Sequence, residues 1–235
     1  MISVSPTIGD AGVSNQTDRI EWREGGVPVS TRFDDPFFSL ENGVAETRHV
    51  FLEGNDLPAR FCEGFHIAEL GFGTGLNALV AWDAWVNSGQ AGDLRFTSFE
   101  AFPMSHDDMA RAHASFPDFG GRRDLLLGRW HPYGGVLNLP GLRLEIVTGD
   151  ARKTLKTWGG AANAWFLDGF SPAKNPELWE DGLMSEVGIH TLPYGTCATY
   201  TAAGFVRRGL ETAGFTIERV PGYGRKRHMT RGVLK

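Results

Sequence analysis

Three glycines at alternate positions, Gly71, Gly73 and Gly75, constrain the fold of this chain more than any other sequence feature. A short apolar run precedes them and an amphipathic helical pattern follows, so residues 65–77 predict a strand, a turn and a helix. Glycines adopt backbone angles that other residues avoid, and the free N–H groups at a helix start can face a ligand. We therefore expect a small molecule to bind here; the alternative is a glycine-rich turn without a ligand.

The spacing of the glycines narrows the class of ligand. A dinucleotide-binding fingerprint needs Gly-x-Gly-x-x-Gly, whose third glycine would fall where this chain has Leu76. Glu69 stands two residues before the first glycine, where its charge would repel a pyrophosphate. It would attract a cation such as the methionyl ammonium of S-adenosylmethionine (SAM). The sequence therefore favours SAM and weakens the case for a nicotinamide oxidoreductase.

Composition sets the broad class of protein. The 235 residues are 41% hydrophobic and 22% charged, which suits one large globular domain or one domain with an appendage. No run of eighteen apolar residues and no signal-peptide pattern occur, so we expect a cytoplasmic protein without a membrane partner. The cysteines and histidines lack metal-site spacings such as CxxC or HExxH, and we predict no metal.

Charge is unevenly distributed along the chain. The net charge is −5, yet residues 198–235 carry eight Lys or Arg against two acids. A localised basic segment on an acidic protein suits contact with a nucleic-acid backbone. The alternative is a solvated basic tail.

Predicted strands and helices alternate from residue 66 onward. The strands cover 66–70, 94–99, 143–148, 164–167, 196–200, 215–220 and 228–233. The helices cover 75–87, 105–115, a short stretch after residue 150, 177–187 and 203–213, with a loop-rich region before residue 143. This alternation predicts a doubly wound parallel sheet, and the short connection 221–226 makes the last two strands antiparallel. The predicted fold class is α/β, with a seven-stranded sheet of the Rossmann-like SAM-dependent methyltransferase type and a terminal antiparallel hairpin.

Three regions are predicted along the chain. Residues 1–18 form a mobile lead, 19–62 a small N-terminal extension, and 63–235 the methyltransferase domain. Within the extension we expect a hairpin over 20–38 and a helix from about Leu40 to Leu52 with Ser39 as its cap. The extension is interpreted as a lid or a substrate platform.

Four acids, Glu69, Glu100, Asp150 and Asp168, fall at or beside the ends of predicted strands. Ligands of a doubly wound sheet lie at those ends. A carboxylate at Glu100 would accept hydrogen bonds from both ribose hydroxyls, and Asp150 would accept from an adenine amino group. A single acid could instead cap a helix, but four such acids together support the SAM prediction.

A second informative stretch, WFLDGFSPAKNP over 165–176, continues a buried strand into a loop stiffened by two prolines. Asp168 and Phe170 would then lie at the sulfonium end of the cofactor. A carboxylate there can orient an amine and take its proton, and an aromatic ring can stack on a base. These two are the candidate catalytic residues; the alternative is a loop shaped only for packing.

The predicted C-terminal hairpin carries consecutive basic residues, Arg225, Lys226 and Arg227, after Tyr223. Their side chains could follow a phosphate backbone while the tyrosine stacks on a base. The full set of candidate substrate contacts is Lys174, Asn175, Arg207, Tyr223, Arg225, Lys226 and Arg227.

Four parts of the sequence together resemble the methyltransferase half of the bacterial bifunctional tRNA-modifying MnmC proteins. They are 33–39 with 46–52, 69–77, 168–176, and 203–210 with 222–227. The DGFSPAKNP and GYGRKR segments are the most specific. The resemblance implies methylation of the aminomethyl nitrogen of 5-aminomethyl-2-thiouridine at the tRNA wobble position, giving 5-methylaminomethyl-2-thiouridine. A departure is Phe38, where the family favours tyrosine.

The resemblance also implies a residue set for the cofactor, with Asp168 as the amine-orienting base and Phe170 nearby. The SAM-binding candidates are Glu69, Gly71, Phe72, Gly73, Thr74, Gly75, Asn77, Glu100, Asp150, Ala151 and Asp168. In the bifunctional form an FAD-dependent oxidase half follows. The chain reaches Lys235 without a second glycine fingerprint, so we expect no oxidase activity and coupling to a separate or missing oxidase half.

Two rival functions remain open at this point. One is a SAM-dependent methyltransferase of another RNA or of a small amine, which needs only the glycine loop and the acids. The other is a catalytically silent RNA-binding protein that keeps the fold and the basic hairpin.

Overall fold

The computed structural model describes residues 20–23, 25–39 and 42–235. The predicted mobile lead, 1–18, lies outside these residues. The first described elements form a small antiparallel sheet of β1 (Ile20–Arg23), β2 (Val27–Ser30) and β3 (Asp35–Pro36). Among the described residues, no helix is both long and apolar enough to cross a membrane.

A short helical segment follows the small sheet. It consists of α1 (Gly43–Thr47), a π-helical turn (Arg48–Leu52) and a 3-10 turn (Glu53–Asn55). The side chain of Asn42 accepts a hydrogen bond from the Ala45 N–H and caps α1, so the helix begins later than the predicted Ser39 cap.

Eight strands form the central sheet, in the order β10-β11-β9-β8-β4-β5-β7-β6. They are β4 (His66–Leu70), β5 (Leu94–Glu100), β6 (Gly135–Leu139), β7 (Leu142–Thr148), β8 (Ala162–Leu167), β9 (Thr191–Thr199), β10 (Phe215–Pro221) and β11 (His228–Leu234). The five neighbouring strands β9, β8, β4, β5 and β7 pair in parallel. The hairpin β10–β11 joins β9 antiparallel, as predicted.

Helices cover both faces of the sheet. They are α2 (Leu76–Asn87), α3 (His106–His113), α4 (Gly120–Leu127), α5 (Ala151–Thr157), α6 (Asp181–Ile189) and α7 (Gly204–Thr212), with 3-10 turns at Pro117–Phe119 and Pro176–Trp179. Successive strand residues face opposite sides, so Phe166 packs in the core with α2, whereas Trp165 and Leu167 pack in the core with α6 and α7.

The predicted seven strands are present, and β6 is an eighth. It pairs antiparallel with β7 across a tight turn at Pro140 and Gly141, in the stretch predicted to be loop-rich. The helix α4 also lies in that stretch. Pairs of glycines, Gly134–Gly135 and Gly120–Gly121, begin these two elements and conceal their patterns, because glycine is unfavourable inside helices and strands.

The turn after α1 packs into the main core rather than lying apart from it. Val50, Phe51 and Leu52 are buried with α2, and the Phe51 ring stacks on Phe166 of β8 with ring centroids 5.2 Å apart. Thr196 of β9 donates a hydrogen bond of 2.6 Å to Asn55. The boundary at residues 62 and 63 stays a prediction, since the extension and the sheet share this core.

Candidate active site

The strand order creates a crevice between β4 and β8. From β4 the chain builds the sheet toward β5 and β7 on one side, then returns to β8 and β9 on the other. Leu70 and Leu167 are paired neighbours at the ends of β4 and β8. The loops that follow them, 71–75 and 168–175, therefore lie side by side at the point where ligands of such sheets bind.

A cavity of about 870 Å³ opens at this edge of the sheet, a volume typical of sites for small molecules and cofactors. The strand ends form its floor, and residues 32–33, 35–39 and 46–47 of the N-terminal segment line another wall. The predicted site residues that line it are Gly71, Phe72, Gly73, Thr74, Asn77, Glu100, Asp150, Ala151, Asp168, Phe170, Asn175, Tyr223, Arg225 and Lys226. Glu69, Gly75, Lys174, Arg207 and Arg227 are not among its lining residues.

Backbone geometry fixes the glycine loop in place. Gly71, Gly73 and Gly75 all have positive φ, at 86°, 53° and 71°. A Cβ on Gly71 would lie 3.0 Å from the carbonyl oxygen of Asp168, so only glycine lets the two loops approach this closely. His113, fully buried on α3, contacts the Thr74 carbonyl oxygen through Nε2 at 2.8 Å. The glycine loop is therefore held by His113 of α3 and by its close contact with the loop after β8.

One amide side chain connects two carboxylates at the crevice. Asn77 on α2 donates to Glu69 Oε1 at 2.8 Å and to Asp168 Oδ2 at 2.7 Å. Its own oxygen accepts a hydrogen bond of 3.0 Å from the Thr47 hydroxyl of α1. Ser98 of β5 donates to the second oxygen of Glu69 at 2.6 Å. This network sets the positions of both acids relative to the glycine loop.

Burial makes both of these carboxyl groups weak acids. It raises the pKa of Asp168 from 3.8 to about 6, although hydrogen bonds from Asn77 and the Gly169 N–H oppose the shift. Burial also raises the pKa of Glu69 well above its usual value, against the hydrogen bonds from Ser98 and Asn77. Glu69 is fully buried beneath the loop and does not line the cavity, whereas Asp168 does.

The other two predicted acids also lie at strand ends on the cavity wall. Glu100 accepts hydrogen bonds from the Gly73 N–H at 2.9 Å and the Phe102 N–H at 2.7 Å. Asp150 caps α5 and is held by the Arg152 guanidinium at 2.7 Å, whose hydrogen bonds lower the pKa of that carboxyl. All four acids lie at or beside strand ends, Glu69 does not line the cavity, and the roles of the four in binding stay predictions.

The loop after β8 is tied to the N-terminal segment. The Phe170 ring stacks on Phe33 with centroids 4.7 Å apart and meets the edge of Phe37 at 5.1 Å. Asp35 accepts a hydrogen bond of 2.8 Å from the Ser171 N–H. Lys174 donates to the backbone oxygen of Asp34 and approaches its carboxylate at 3.1 Å. Lys174 is thus engaged within the chain, and its predicted contact with substrate stays a prediction.

The C-terminal hairpin reaches the opposite rim of the cavity. Lys226 donates to Glu46 of α1 at 2.6 Å, and its ammonium lies 4.3 Å from the ring centroid of Tyr200. The Tyr200 hydroxyl donates to the Gly169 carbonyl at 2.8 Å. Arg227 is exposed on the same turn, and Arg207 lies on α7.

Glu46, Thr47 and Tyr200 are among the residues of this site that sequence reasoning did not identify. Tyr200 directly follows β9, so the strand-end rule that found the four acids could also have found it. Glu46 and Thr47 lie on a helix that precedes the sheet in sequence, and no spacing signal links them to the site.

The lining residues fit SAM in their chemistry. Glycines allow a ligand to lie against the backbone at 71–75, and Glu100 beside that loop provides carboxylate oxygens of the kind that bind ribose hydroxyls. Several carboxyl groups on the cavity wall suit a ligand that carries positive charge.

Comparison with known proteins agrees with this fit. Residues 136–235 match a family described as S-adenosyl-L-methionine-dependent methyltransferase. The chain is 44% identical over 231 residues to the tRNA 5-methylaminomethyl-2-thiouridine biosynthesis bifunctional protein MnmC of Stutzerimonas stutzeri (strain A1501), covering 94% of this chain and 35% of that protein. The chain thus spans about a third of the length of this relative.

A solved structure matches the fold over nearly the whole chain. The crystal structure of MNMC2 from Aquifex aeolicus superposes with a TM-score of 0.73 at 26% identity, covering 95% of this chain and 72% of that one. The predicted resemblance to MnmC and the predicted fold class are confirmed.

Proposed function

We propose that this chain, a relative of one part of the bifunctional MnmC proteins, is a SAM-dependent tRNA methyltransferase. Its substrate would be the aminomethyl nitrogen of 5-aminomethyl-2-thiouridine at the wobble position, and its product 5-methylaminomethyl-2-thiouridine. The observation that carries this proposal is the Asp168 carboxyl group, which faces the cavity beside the glycine loop with a pKa of about 6. Activity on tRNA would take place in the cytoplasm.

The proposed cofactor site follows the cavity floor. The backbone of 71–75 would lie against the methionyl part of SAM, Glu100 would accept from the ribose hydroxyls, and residues 149–151 would border the adenine. Asp150 is already held by Arg152, so it would meet the adenine amino group with the lone pairs that Arg152 leaves available. When bound, SAM supplies a methyl group made reactive by a sulfonium.

Asp168 would prepare the amine for methyl transfer. An alkylammonium has no lone pair, so the substrate nitrogen must lose a proton to become a nucleophile. A carboxylate with a pKa of about 6 is ionised at neutral pH, and it is a stronger base than an ordinary aspartate. Asp168 would first orient the ammonium and then accept its proton, while Asn77 fixes the carboxylate from behind.

The rim would contact the tRNA around the modified base. Tyr223 and Arg225 line the cavity on the hairpin turn, where an aromatic ring can stack on a neighbouring base and a guanidinium can bind phosphate. An oxidase on a separate protein would have to supply the aminomethyl group if this chain acts alone.

Methyl transfer from labelled SAM tests the function. Purified protein is expected to label tRNA that bears 5-aminomethyl-2-thiouridine and to leave tRNA without the amine unlabelled. Asp168→Asn should lower kcat at least a hundredfold with SAM affinity nearly unchanged by calorimetry. Absence of labelling by a wild-type protein that binds SAM would reject the proposal. Labelling of a small amine that total tRNA does not inhibit would indicate a small-molecule methyltransferase instead.

A further inference from the structure

The Lys226 side chain is 47% exposed, yet its ammonium is held against other side chains of the protein. Lysines on an exposed hairpin turn usually extend into water, where an ion pair contributes little. Here the ammonium is 2.6 Å from a Glu46 side chain that is only 13% exposed. The same ammonium lies over the face of Tyr200 at 4.3 Å. A carboxylate together with an aromatic face is the arrangement that recognises alkylammonium ions.

This cation site lies at the rim of the cavity. Glu46, Tyr200 and Lys226 all line it, as does Asp168. The Tyr200 ring is fixed because its hydroxyl donates to Gly169, the residue after Asp168. An ammonium held here is therefore close to the group that would take a proton from the substrate.

We propose that Glu46 and the ring of Tyr200 form the binding site for the substrate's alkylammonium group, and that Lys226 occupies this site until the substrate displaces it. The inference rests on the proposed function, because it assigns that function's amine to a place in the cavity. Lysine suits the role of a removable occupant, since its charge is carried on a flexible four-carbon stem. Its attachment to the chain gives it an effective concentration that a free amine must overcome.

Nucleoside binding tests the site without any turnover. The probes are 5-aminomethyl-2-thiouridine and 2-thiouridine, titrated by NMR in the presence of S-adenosylhomocysteine, which carries no transferable methyl group. Lys226→Met should bind the amine-bearing nucleoside about tenfold more tightly than wild type does, because the competing ammonium is gone. Binding of 2-thiouridine should not change. Arg219→Met removes an exposed charge from the same hairpin and should leave both affinities unchanged.

Glu46→Gln is the second variant of the test. It should weaken binding of the amine-bearing nucleoside about tenfold. In the double variant, Lys226→Met should no longer tighten binding of that nucleoside. The inference is overturned if Lys226→Met does not improve amine-dependent binding, or if the gain survives in the double variant. It is also overturned if Lys226→Met only weakens an anticodon stem-loop that lacks the amine, since Lys226 would then be a phosphate contact.

The titration of Asp168 gives a readout that does not depend on nucleoside. The charged groups around it are Glu46 on α1, Glu69 at the end of β4 and Lys226 on the hairpin, of which Lys226 lowers its pKa and Glu46 raises it. Lys226→Met should thus move the midpoint upward and Glu46→Gln downward in ¹³C NMR. Midpoints that do not move would show that the two groups lie away from the site in solution.

Failure of this inference can be separated from failure of the proposed function. If the wild-type protein transfers methyl groups but the variants bind the nucleosides as wild type does, the proposed function is supported and the ammonium site is rejected. Amine-selective nucleoside binding by a protein that transfers no methyl group would support the ammonium site and reject the proposed function.

Discussion

The Asp168 carboxyl group is the residue whose environment has the clearest chemical consequence. Its pKa is raised from 3.8 to about 6, so between these values the folded protein binds more protons than the unfolded chain. Stability must therefore fall as pH rises through this window. Asp168→Asn carries no titrating group at this position, so its free energy of unfolding should fall less than that of wild type between about pH 4 and pH 6, measured by urea unfolding at several pH values.

The same titration should appear in catalysis. Because the ionised form is the proposed base, kcat/KM for SAM should rise with pH and level off above about pH 6. An acid limb that is unchanged in an Asp168 variant with residual activity would contradict this assignment.

Gly71 offers a test of the contact between the two loops. Its φ of 86° costs any residue with a Cβ about 1 kcal/mol, and that Cβ would also press on the Asp168 carbonyl. Gly71→Ala should thus lose both stability and SAM affinity. Gly89→Ala is the matched control, because Gly89 has a φ of 71° and no atom within 4 Å of its added Cβ.

The two glycine variants separate strain from site damage. Both should lower the free energy of unfolding in urea, but only Gly71→Ala should weaken SAM binding, by at least tenfold in calorimetry. Equal SAM affinities of the Gly71→Ala and Gly89→Ala variants would show that the two loops can move apart without weakening SAM binding.

Sequence reasoning located the acids because each lies at or beside the end of a strand in a regular pattern. Glu69 and Asp168 are examples, since the order of strands places their ends side by side. Glu46 and Thr47 could not be found this way, because only packing of α1 against α2 brings them to the cavity. Local periodicity carries no information about such contacts.

At the scale of elements, the segment around β3 is joined to the loop after β8. Asp35 accepts from the Ser171 N–H inside this junction and also lies 3.7 Å from the Lys174 ammonium, whereas Asp34 forms only exposed ion pairs, with Lys174 and Arg23. Without the Asp35 carboxylate, the Ser171 N–H loses its hydrogen-bond acceptor. Asp35→Ala should consequently accelerate amide hydrogen exchange across 169–175.

Asp34→Asn is the control for this prediction, because asparagine tolerates the left-handed backbone of residue 34. It should leave exchange in the loop nearly unchanged, since exposed ion pairs contribute little. Equal acceleration in both variants would show that the ion pairs, rather than the Asp35 hydrogen bond, hold the junction together.

Strands with a clear apolar pattern were predicted, whereas two elements that begin at pairs of glycines were not. The strand β4 was predicted with its observed bounds, whereas β6 and α4 were hidden by glycine pairs at their starts. The strand β6 is stabilised by its pairing with β7, which is a property of the sheet rather than of its own five residues.

At the scale of the whole molecule, Arg60 connects the N-terminal segment to the sheet. Its guanidinium donates to the carbonyl oxygens of Asn55, Asn163 and Tyr194, and to the Thr196 hydroxyl. Hydrogen bonds from charged groups are the stronger kind, so Arg60→Ala should lower the free energy of unfolding by about 2 to 4 kcal/mol. The exposed Arg95→Ala should change it by less than about 0.5 kcal/mol.

The shape of the unfolding curve bears on the domain boundary at residue 62. A shared core predicts one cooperative transition, in which circular dichroism and the fluorescence of the tryptophans change together for both variants. Two separate transitions would show that residues 19–62 fold as an independent unit.

The order of strands also has a consequence for the time course of synthesis. The strand β11 lies between β9 and β10, so β10 leaves the ribosome before the strand that attaches it to the sheet exists. Until β11 emerges, β9 has an unpaired edge and Lys226 has not reached Glu46, 180 residues earlier in the chain. Nascent chains that stall before β11 would thus combine an incomplete cavity with an open strand edge, which is a site for aggregation.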